Sequence, residues 1–259
     1  MPLVRAGRPL KRWTYVGVFA EDLMLCAGTA RVAVVPQSFW AVWNRRAGVL
    51  DTETTYLQPT RVRLSDQKVL VRSGAARLEL ALSPVGETVE VVSPHGRSYI
   101  WTRKVPIRAD GHLTFGMEAR PVSGLGILDQ SAGYHARRTR WEWSAGVGTS
   151  GDGWPVAWSL ARGLHDSATS SERTVWVQGR AVEVPPVRFS ADLDKLWGDD
   201  GSLLGFEAEA VRTHRTELGL VTSDYEQPFG RFHGLLPGGV DLSEQSPALG
   251  VMERHRARW

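Results

Sequence analysis

Short apolar or alternating segments, separated by turn residues, recur along the whole chain and limit its fold more than any other feature. Ala76–Leu82 alternates apolar and polar side chains, and Val175–Val184 contains two strand-like runs on either side of Gln178-Gly179, which predicts a tight hairpin. Regular short strands are typical of sandwiches and barrels rather than of βαβ units. The sequence therefore predicts an all-β, antiparallel fold with very little helix. Only Pro36–Arg46 and Ala191–Trp197 have room for short helices.

The chain also contains two similar segments, which predict two similar β units packed together. Trp13–Val18 and Trp141–Val147 each place an aromatic pair before small residues. Between them, Pro121–Gly126 is rich in Gly, Pro and Ser and carries no charge, as a linker or crossover does. We expect a first β unit at 1–120, a connecting segment at 121–133 and a second β unit at 134–259, with one continuous domain as the alternative.

The composition indicates an ordinary globular protein, with 42% hydrophobic and 23% charged residues among 259. A formal net charge of +3, without any clustered run of cations, does not predict nucleic-acid binding. The 11 tryptophans are the unusual feature, and they favour either a lined ligand pocket or well-filled barrel interiors.

The cellular setting is predicted from cysteine usage and hydropathy. The single cysteine, Cys26, excludes an intramolecular disulfide. The basic start of the chain has no apolar run behind it, and no apolar stretch has the length of a membrane span. We expect a soluble, cytoplasmic protein, for which homo-oligomers are an open alternative.

Motifs for organic cofactors and metals are not supported. Gly146–Gly151 matches the dinucleotide fingerprint by letter, but it leads into Asp152–Pro155, which cannot begin the required helix. A phosphate-binding loop, a nucleophile elbow and paired CxxC motifs do not occur, and the seven histidines lack metal-ligand spacing. We therefore expect neither a metal nor an organic cofactor.

The segment Gly133–Gly146 combines titratable and aromatic side chains. With a period of two, one predicted face carries His135, Arg137, Thr139, Trp141 and Trp143. The other, predicted to face solvent, carries Tyr134, Ala136, Arg138, Arg140 and Glu142. The first face is typical of a pocket wall with a polar end. The alternative is a structural Arg/His pair at the end of a strand.

The C-terminal segment forms a second cluster. One predicted face carries Val251, Glu253, His255, Ala257 and Trp259, and the opposite face, with Met252 and three arginines, is predicted to face solvent. Glu253 and His255 then project the same way, about 6.5–7 Å apart. Burial among apolar side chains raises the pKa of a glutamate and suits it as a general acid. An internal ion pair, for instance with Arg137, is the alternative.

The two clusters are predicted to share one interior, because the last strand of a closed sheet must pair with an earlier one. The polar end of this site would consist of His135, Arg137, Glu253 and His255. The predicted ligand-binding residues are Trp141, Trp143, Trp158, Trp176 and His165, the last from a polar loop of the kind that often carries function.

Several longer runs resemble a bacterial family of unknown function, number two-eight-zero-four in the domain-of-unknown-function series. They are GYHARRTRWEWSAGVG, SERTVWVQG, YEQPFGRFHG and GVMERHRARW, together with RPLKRWTYVGVFAEDLMLCAG and WTRK at Trp101–Lys104. One departure is Ser159, where the family favours Asn after Trp158. More remotely, the layout resembles tandem lipocalin-like proteins such as carotenoid hydratases and tocopherol cyclases, which implies a lipocalin-like pocket for an isoprenoid or lipid and no organic cofactor.

Taken together, these features predict a protein that binds a hydrophobic small molecule and performs cofactor-independent hydration, cyclisation or isomerisation on it. The first alternative is a non-catalytic intracellular lipid-binding protein. The second is an arginine-rich module that binds nucleic acid or protein.

Overall fold

The computed structural model describes residues 1–32, 34–57, 61–74, 76–218 and 221–258, and it contains only strands and turns in that part of the chain. In these ranges no helix is long and apolar enough to cross a membrane. The strands are β1 (Val4–Arg5), β2 (Arg8–Pro9), β3 (Lys11–Phe19), β4 (Leu23–Val32), β5 (Val35–Asn44), β6 (Val49–Tyr56), β7 (Val62–Leu64), β8 (Lys68–Arg72), β9 (Ala76–Pro84), β10 (Val89–His95), β11 (Ser98–Phe115), β12 (Glu118–Gly133), β13 (Arg138–Thr149), β14 (Pro155–Arg162), β15 (Thr174–Val177), β16 (Arg180–Glu183), β17 (Val187–Phe189), β18 (Lys195–Gly198), β19 (Leu203–Leu218), β20 (Val221–Leu236), β21 (Val240–Asp241) and β22 (Ala248–Arg258).

The strands form two ten-stranded antiparallel sheets with the same order of strands. The first sheet runs β6-β5-β4-β3-β12-β11-β9-β8-β7, with β10 added to β11. The second runs β16-β15-β14-β13-β22-β20-β19-β18-β17, with β21 added to β20. The first strand of each sheet therefore pairs with the last one, β3 with β12 and β13 with β22. The predicted all-β antiparallel fold, built of two similar packed units, is confirmed.

Two local predictions need correction. The helix candidates Pro36–Arg46 and Ala191–Trp197 are not helical, since the first lies mainly in β5 and the second forms a turn leading into β18. The connecting segment predicted at 121–133 is a strand, because it lies within β12 and pairs on both sides, with β3 and β11. The chain passes between the sheets at 134–137 instead. The division into two domains stays a prediction.

The hairpin predicted around Gln178-Gly179 is confirmed. β15 pairs with β16, and both turn residues have positive φ, 53° at Gln178 and 79° at Gly179. This backbone is that of a type I′ turn, whose twist matches that of the two flanking strands.

The sequence pattern follows from how each sheet is covered. In β9 buried and exposed residues alternate, because only one face meets a core. In β4 successive residues are buried on both faces: Leu25 points into the core of the first sheet, whereas Met24 points into a middle core shared by both sheets. The second sheet encloses its own core around Trp158 and Leu196. The molecule therefore has two cores inside the curled sheets and one between them.

A charged contact joins the two sheets at a β-bulge. The pairing of β19 with β20 shifts between Ala208 and Ala210, so that Glu209 is the extra residue. Its carboxylate accepts hydrogen bonds from Arg45 at 2.6 and 2.7 Å, from Trp43 at 3.0 Å and from Arg231 at 2.8 Å. Burial alone would raise the pKa of Glu209, but these donors outweigh it and lower that pKa to about 2.

We predict that Glu209→Gln destabilises the protein at neutral pH by roughly 1–2 kcal/mol, after allowance for screening by water at this half-buried site. A carboxylate with a lowered pKa contributes stability above its unfolded value of 4.5, and this contribution is lost as the pH falls toward 2. Urea denaturation at pH 7 and at pH 3 would measure both effects. Glu207→Gln, at an exposed position on the same strand, is the matched control. Equal losses for the two variants would contradict this account of the contact.

Candidate functional site

A cavity of about 310 Å³ lies between the two sheets, and both sheets contribute to its walls. The side chains from the first sheet include Trp13, Tyr15, Phe39, Tyr56, Lys104 and Asp129. Those from the second sheet and its β14–β15 loop include Trp141, Trp143, His165, Glu172, Arg212, His214, Tyr225, Glu253 and His255. The cavity thus combines aromatic walls with convergent polar groups, as small-molecule sites do.

Matching strands of the two sheets supply the aromatic wall. Trp13 on β3 stacks against Trp141 on β13, with ring centroids 6.0 Å apart and planes only 8° from parallel. Two residues further along each strand, Tyr15 meets Trp143 edge to face at 5.4 Å. The two similar sequence segments therefore face each other across the cavity.

A lateral row of residues crosses the first sheet beneath the cavity. The strand register aligns Lys104, Asp129, Tyr15, Gly28 and Phe39 on five neighbouring strands. Gly28 has a steric role in this row, because a Cβ atom there would lie 2.1 Å from the Phe39 ring. Measured along the curled sheet, four strand spacings between the two ends of the row amount to roughly 19 Å.

Glu253 on β22 is a buried carboxyl group of the second sheet, with 7% of its surface exposed. Its oxygens accept hydrogen bonds from Trp141 Nε1 at 2.9 Å, the Tyr225 hydroxyl at 2.7 Å and Gln227 Nε2 at 3.2 Å. Burial raises the pKa of Glu253, although the bonds from Tyr225 and Trp141 act in the opposite direction. The carboxyl group therefore holds its proton to a higher pH than a surface glutamate does.

A second buried cluster lies on the other wall. Lys104 Nζ is 2.8 Å from an oxygen of Asp129, its partner across β11 and β12, and 3.5 Å from an oxygen of Glu172. The same ammonium group lies 5.4 Å from the centre of the Trp143 ring. Burial raises the pKa of both Asp129 and Glu172. Burial alone would lower the pKa of Lys104, but the two neighbouring carboxylates outweigh this effect and raise it.

Buried histidines complete the polar lining. His165 Nδ1 lies 2.9 Å from the Ser93 hydroxyl, and His255 Nε2 lies 2.8 Å from that of Ser223. Burial lowers the pKa of both histidines to about 3, with the charge of Lys104 adding to the effect at His165 and that of Arg212 at His255. Both imidazoles are therefore neutral at physiological pH and act as hydrogen-bonding groups rather than as cations.

The structure brings five of the predicted site residues together on this cavity: Trp141, Trp143, His165, Glu253 and His255. The pairing of β13 with β22 explains this arrangement, because it places Trp141 opposite His255 and Trp143 opposite Glu253. Whether these residues act on a ligand stays a prediction.

His135 and Arg137 are placed differently from the prediction. The strand β13 begins only at residue 138, so the two-residue period does not extend back to either of them. His135 is buried behind the cavity wall, with its ring 4.8 Å from that of Trp13. Arg137 is exposed and forms no ion pair with Glu253 in the described structure.

Trp158 and Trp176 lie in cores rather than on the cavity. Trp158 packs inside the second sheet and donates to the Ser144 hydroxyl at 3.1 Å. Trp176 packs in the middle core and donates to the backbone oxygen of Glu87 at 2.8 Å. Ser159 is buried and accepts a hydrogen bond from Trp143 at 3.0 Å.

The faces predicted to be solvated also need correction. Tyr134, Glu142 and Met252 are buried, Met252 within the core of the second sheet. Both faces of the central strands are covered, which removes the solvent-facing side that alternation alone predicts. Trp259 lies outside the described residues.

Many lining residues were not singled out from the sequence as site residues, among them Lys104, Asp129, Arg212 and Tyr225. Lys104 and Tyr225 lie within runs that resemble the family, but no local pattern marks them as part of a site. The pairing between distant strands brings these residues onto the cavity, and a single sequence does not show that pairing.

Comparisons with known proteins agree with the fold. Residues 60–259 match the model of the family described as domain of unknown function DUF2804. No curated protein matches the sequence.

Solved structures similar to the chain have the same architecture at low sequence identity. A Nitrosomonas europaea protein, provisionally assigned as AttH, superposes with a TM-score of 0.57 and 14% identity, over 94% of this chain and 91% of the other. Kievitone hydratase from Nectria haematococca superposes with a TM-score of 0.52 and 10% identity, over 96% of this chain and 88% of the hydratase. CghA crystallised with Sch210972 superposes with a TM-score of 0.53 and 9% identity, over 95% of this chain and 87% of CghA. At these identities the likeness establishes the fold alone.

We predict that His165→Asn makes the loss of stability on acidification shallower. A histidine with a lowered pKa contributes stability that is complete above its unfolded value of 6.5 and is lost as the pH falls toward 3. The slope of the free energy of unfolding against pH, between pH 6 and pH 4, should decrease by up to about 1.4 kcal/mol per pH unit. Urea titrations across this range measure the slope, with His112→Asn, at an exposed position, as the control. An unchanged slope for His165→Asn would show that the imidazole is not held neutral.

Proposed function

The chain belongs to the DUF2804 family, and we propose that it binds a hydrophobic small molecule between its two sheets and performs acid–base chemistry on it without an organic cofactor. The observation that carries this proposal is Glu253, a buried carboxyl group with a raised pKa that lines an aromatic cavity. A buried carboxylic acid with a raised pKa is suited to protonating an apolar substrate.

The chemistry we propose begins with transfer of the Glu253 proton to an alkene carbon of the ligand. The alkene π electrons form the new C–H bond and leave a carbocation next to it. Addition of water followed by loss of a proton from the oxonium ion gives hydration. Attack by a second alkene followed by loss of a proton from the new carbocation gives cyclisation, and direct loss of a different proton gives isomerisation. In each case the Glu253 carboxylate recovers a proton released by the reaction or by water, so that no oxidant or reductant is needed.

The surrounding groups support these steps. The rings of Trp13, Trp141 and Trp143 present π faces and edges to a cationic intermediate. The carboxylates beside Lys104 provide negative charge across the cavity. Asp129 raises the pKa of Glu253 further, whereas the charge of Arg212 lowers it. The name of kievitone hydratase supports hydration as a reaction on this fold.

We predict that Glu253→Gln abolishes proton transfer while the protein stays folded. The amide retains the shape and most hydrogen bonds but has no acidic proton, so turnover should fall by roughly 100-fold or more. Incubation in D₂O with a panel of isoprenoid alkenes, followed by mass spectrometry, would detect deuterium added at carbon. Asp224→Asn, an exposed acid on the neighbouring strand, should behave as wild type.

The stability of this variant provides the check on folding. Because the folded pKa of Glu253 is raised, the contribution of its neutral form is present below pH 4.5 and is lost as the pH rises through that folded pKa. Glu253→Gln should therefore gain stability relative to wild type with rising pH. Binding without any deuterium transfer by the wild type would identify a non-catalytic binding protein. A large loss of stability in the variant at neutral pH would point to a structural carboxylate.

We predict that Ala30→Phe weakens the binding of apolar ligands by at least tenfold. Ala30 lines the cavity and is only half-buried, so a larger ring there would fill space needed by the ligand. Quenching of tryptophan fluorescence on titration with isoprenoids measures the affinity, since three tryptophans line the cavity. Arg31→Phe, at the adjacent exposed position, should bind as wild type does. Unchanged quenching in Ala30→Phe would place the ligand elsewhere.

A further inference from the structure

Arg212 on β19 lines the cavity with 3% of its surface exposed. An arginine side chain stays charged at every pH at which proteins fold, so this residue carries a permanent positive charge inside the molecule. A buried charge is costly unless a partner of opposite charge or a set of hydrogen bonds compensates it.

Aromatic rings from both sheets hold the guanidinium group in place. Its central carbon lies 4.3 Å from the centre of the Phe39 ring and 4.8 Å from that of the Tyr225 ring. One terminal nitrogen, Nη2, donates to the Thr54 hydroxyl at 3.2 Å. These contacts fix the group but supply no negative charge.

The other nitrogens of Arg212 have no partner within the described chain. Nε and Nη1 are buried and form no hydrogen bond there, and no described carboxylate oxygen is within ion-pair distance of Arg212. Glu253, a buried acid that lines the same cavity, already accepts bonds from Trp141, Tyr225 and Gln227. The positive charge and two donors of Arg212, which lines the cavity, are therefore not compensated within the described chain.

We infer that Arg212 binds a carboxylate group of the ligand, so that the substrate is an apolar molecule with one carboxylate. This inference rests on the proposed function of the same cavity. A single carboxylate balances one buried positive charge and forms charge-assisted hydrogen bonds to guanidinium. The acids Asp129 and Glu172 repel an anion from the Lys104 end of the lateral row, which orients the ligand with its carboxylate toward Phe39 and Arg212.

Binding of geranate and geraniol tests the inference, because the two probes share an isoprenoid chain and differ in the carboxylate. Wild type should bind geranate roughly 10- to 100-fold more tightly than geraniol. Arg212→Met should lose this preference while still binding geraniol, and Arg212→Lys should keep part of it. Arg215→Met, at an exposed position on the same strand, is the matched control and should keep the full preference. Titration calorimetry at pH 7.5 measures all four proteins.

The outcomes separate the inference from the proposed function. Equal affinities for the two probes in wild type, or a preference that survives in Arg212→Met, would overturn the inference and leave the apolar cavity intact as a binding site. If neither probe binds, the proposed ligand class fails, and the stability of the ligand-free protein decides the role of Arg212. A melting temperature of Arg212→Met at or above that of wild type supports a charge kept for a ligand, whereas a fall of several degrees shows a structural arginine.

Discussion

The structure depends on the double burial of the central strands. Each sheet curls around a core of its own and also packs its outer face against the other sheet. Residues 23–28 on β4 are therefore covered on both sides, and neighbouring strands cannot shift without exposing one core or the other. Where the middle core does not close, the aromatic pairs from β3 and β13 hold the sheets apart and leave the cavity.

Because the cavity lies where two apolar faces meet, the polar groups in it are desolvated. The same burial raises the pKa of Glu253 and of Asp129 and lowers that of His165 and His255. Charge is separated along the lateral row, with carboxylates beside Lys104 at one end and Arg212 at the other. An apolar molecule with one polar end matches this distribution better than a uniformly apolar one does.

The sequence predicted most of the fold because strand alternation and turn chemistry are local. It also predicted that Glu253 and His255 would share one face, since both lie within a single regular strand. The 121–133 segment was misinterpreted because the small, uncharged residues of Pro121–Gly126 resemble a linker. They are small for close packing within the sheet, as at Gly126, where a Cβ atom would lie 1.9 Å from the Gly17 oxygen. Lys104 and Arg212 could not be placed from the sequence, because their positions depend on strand register and on the packing of the two sheets.

Native mass spectrometry of the purified protein after incubation with a total lipid extract would show whether a ligand binds between the two sheets. We expect one bound molecule per chain, released on denaturation and identified as an apolar compound with an acidic group. A protein that emerges at its unliganded mass from every extract, with no adduct at any lipid concentration, would contradict the claim that the space between the sheets is a ligand site.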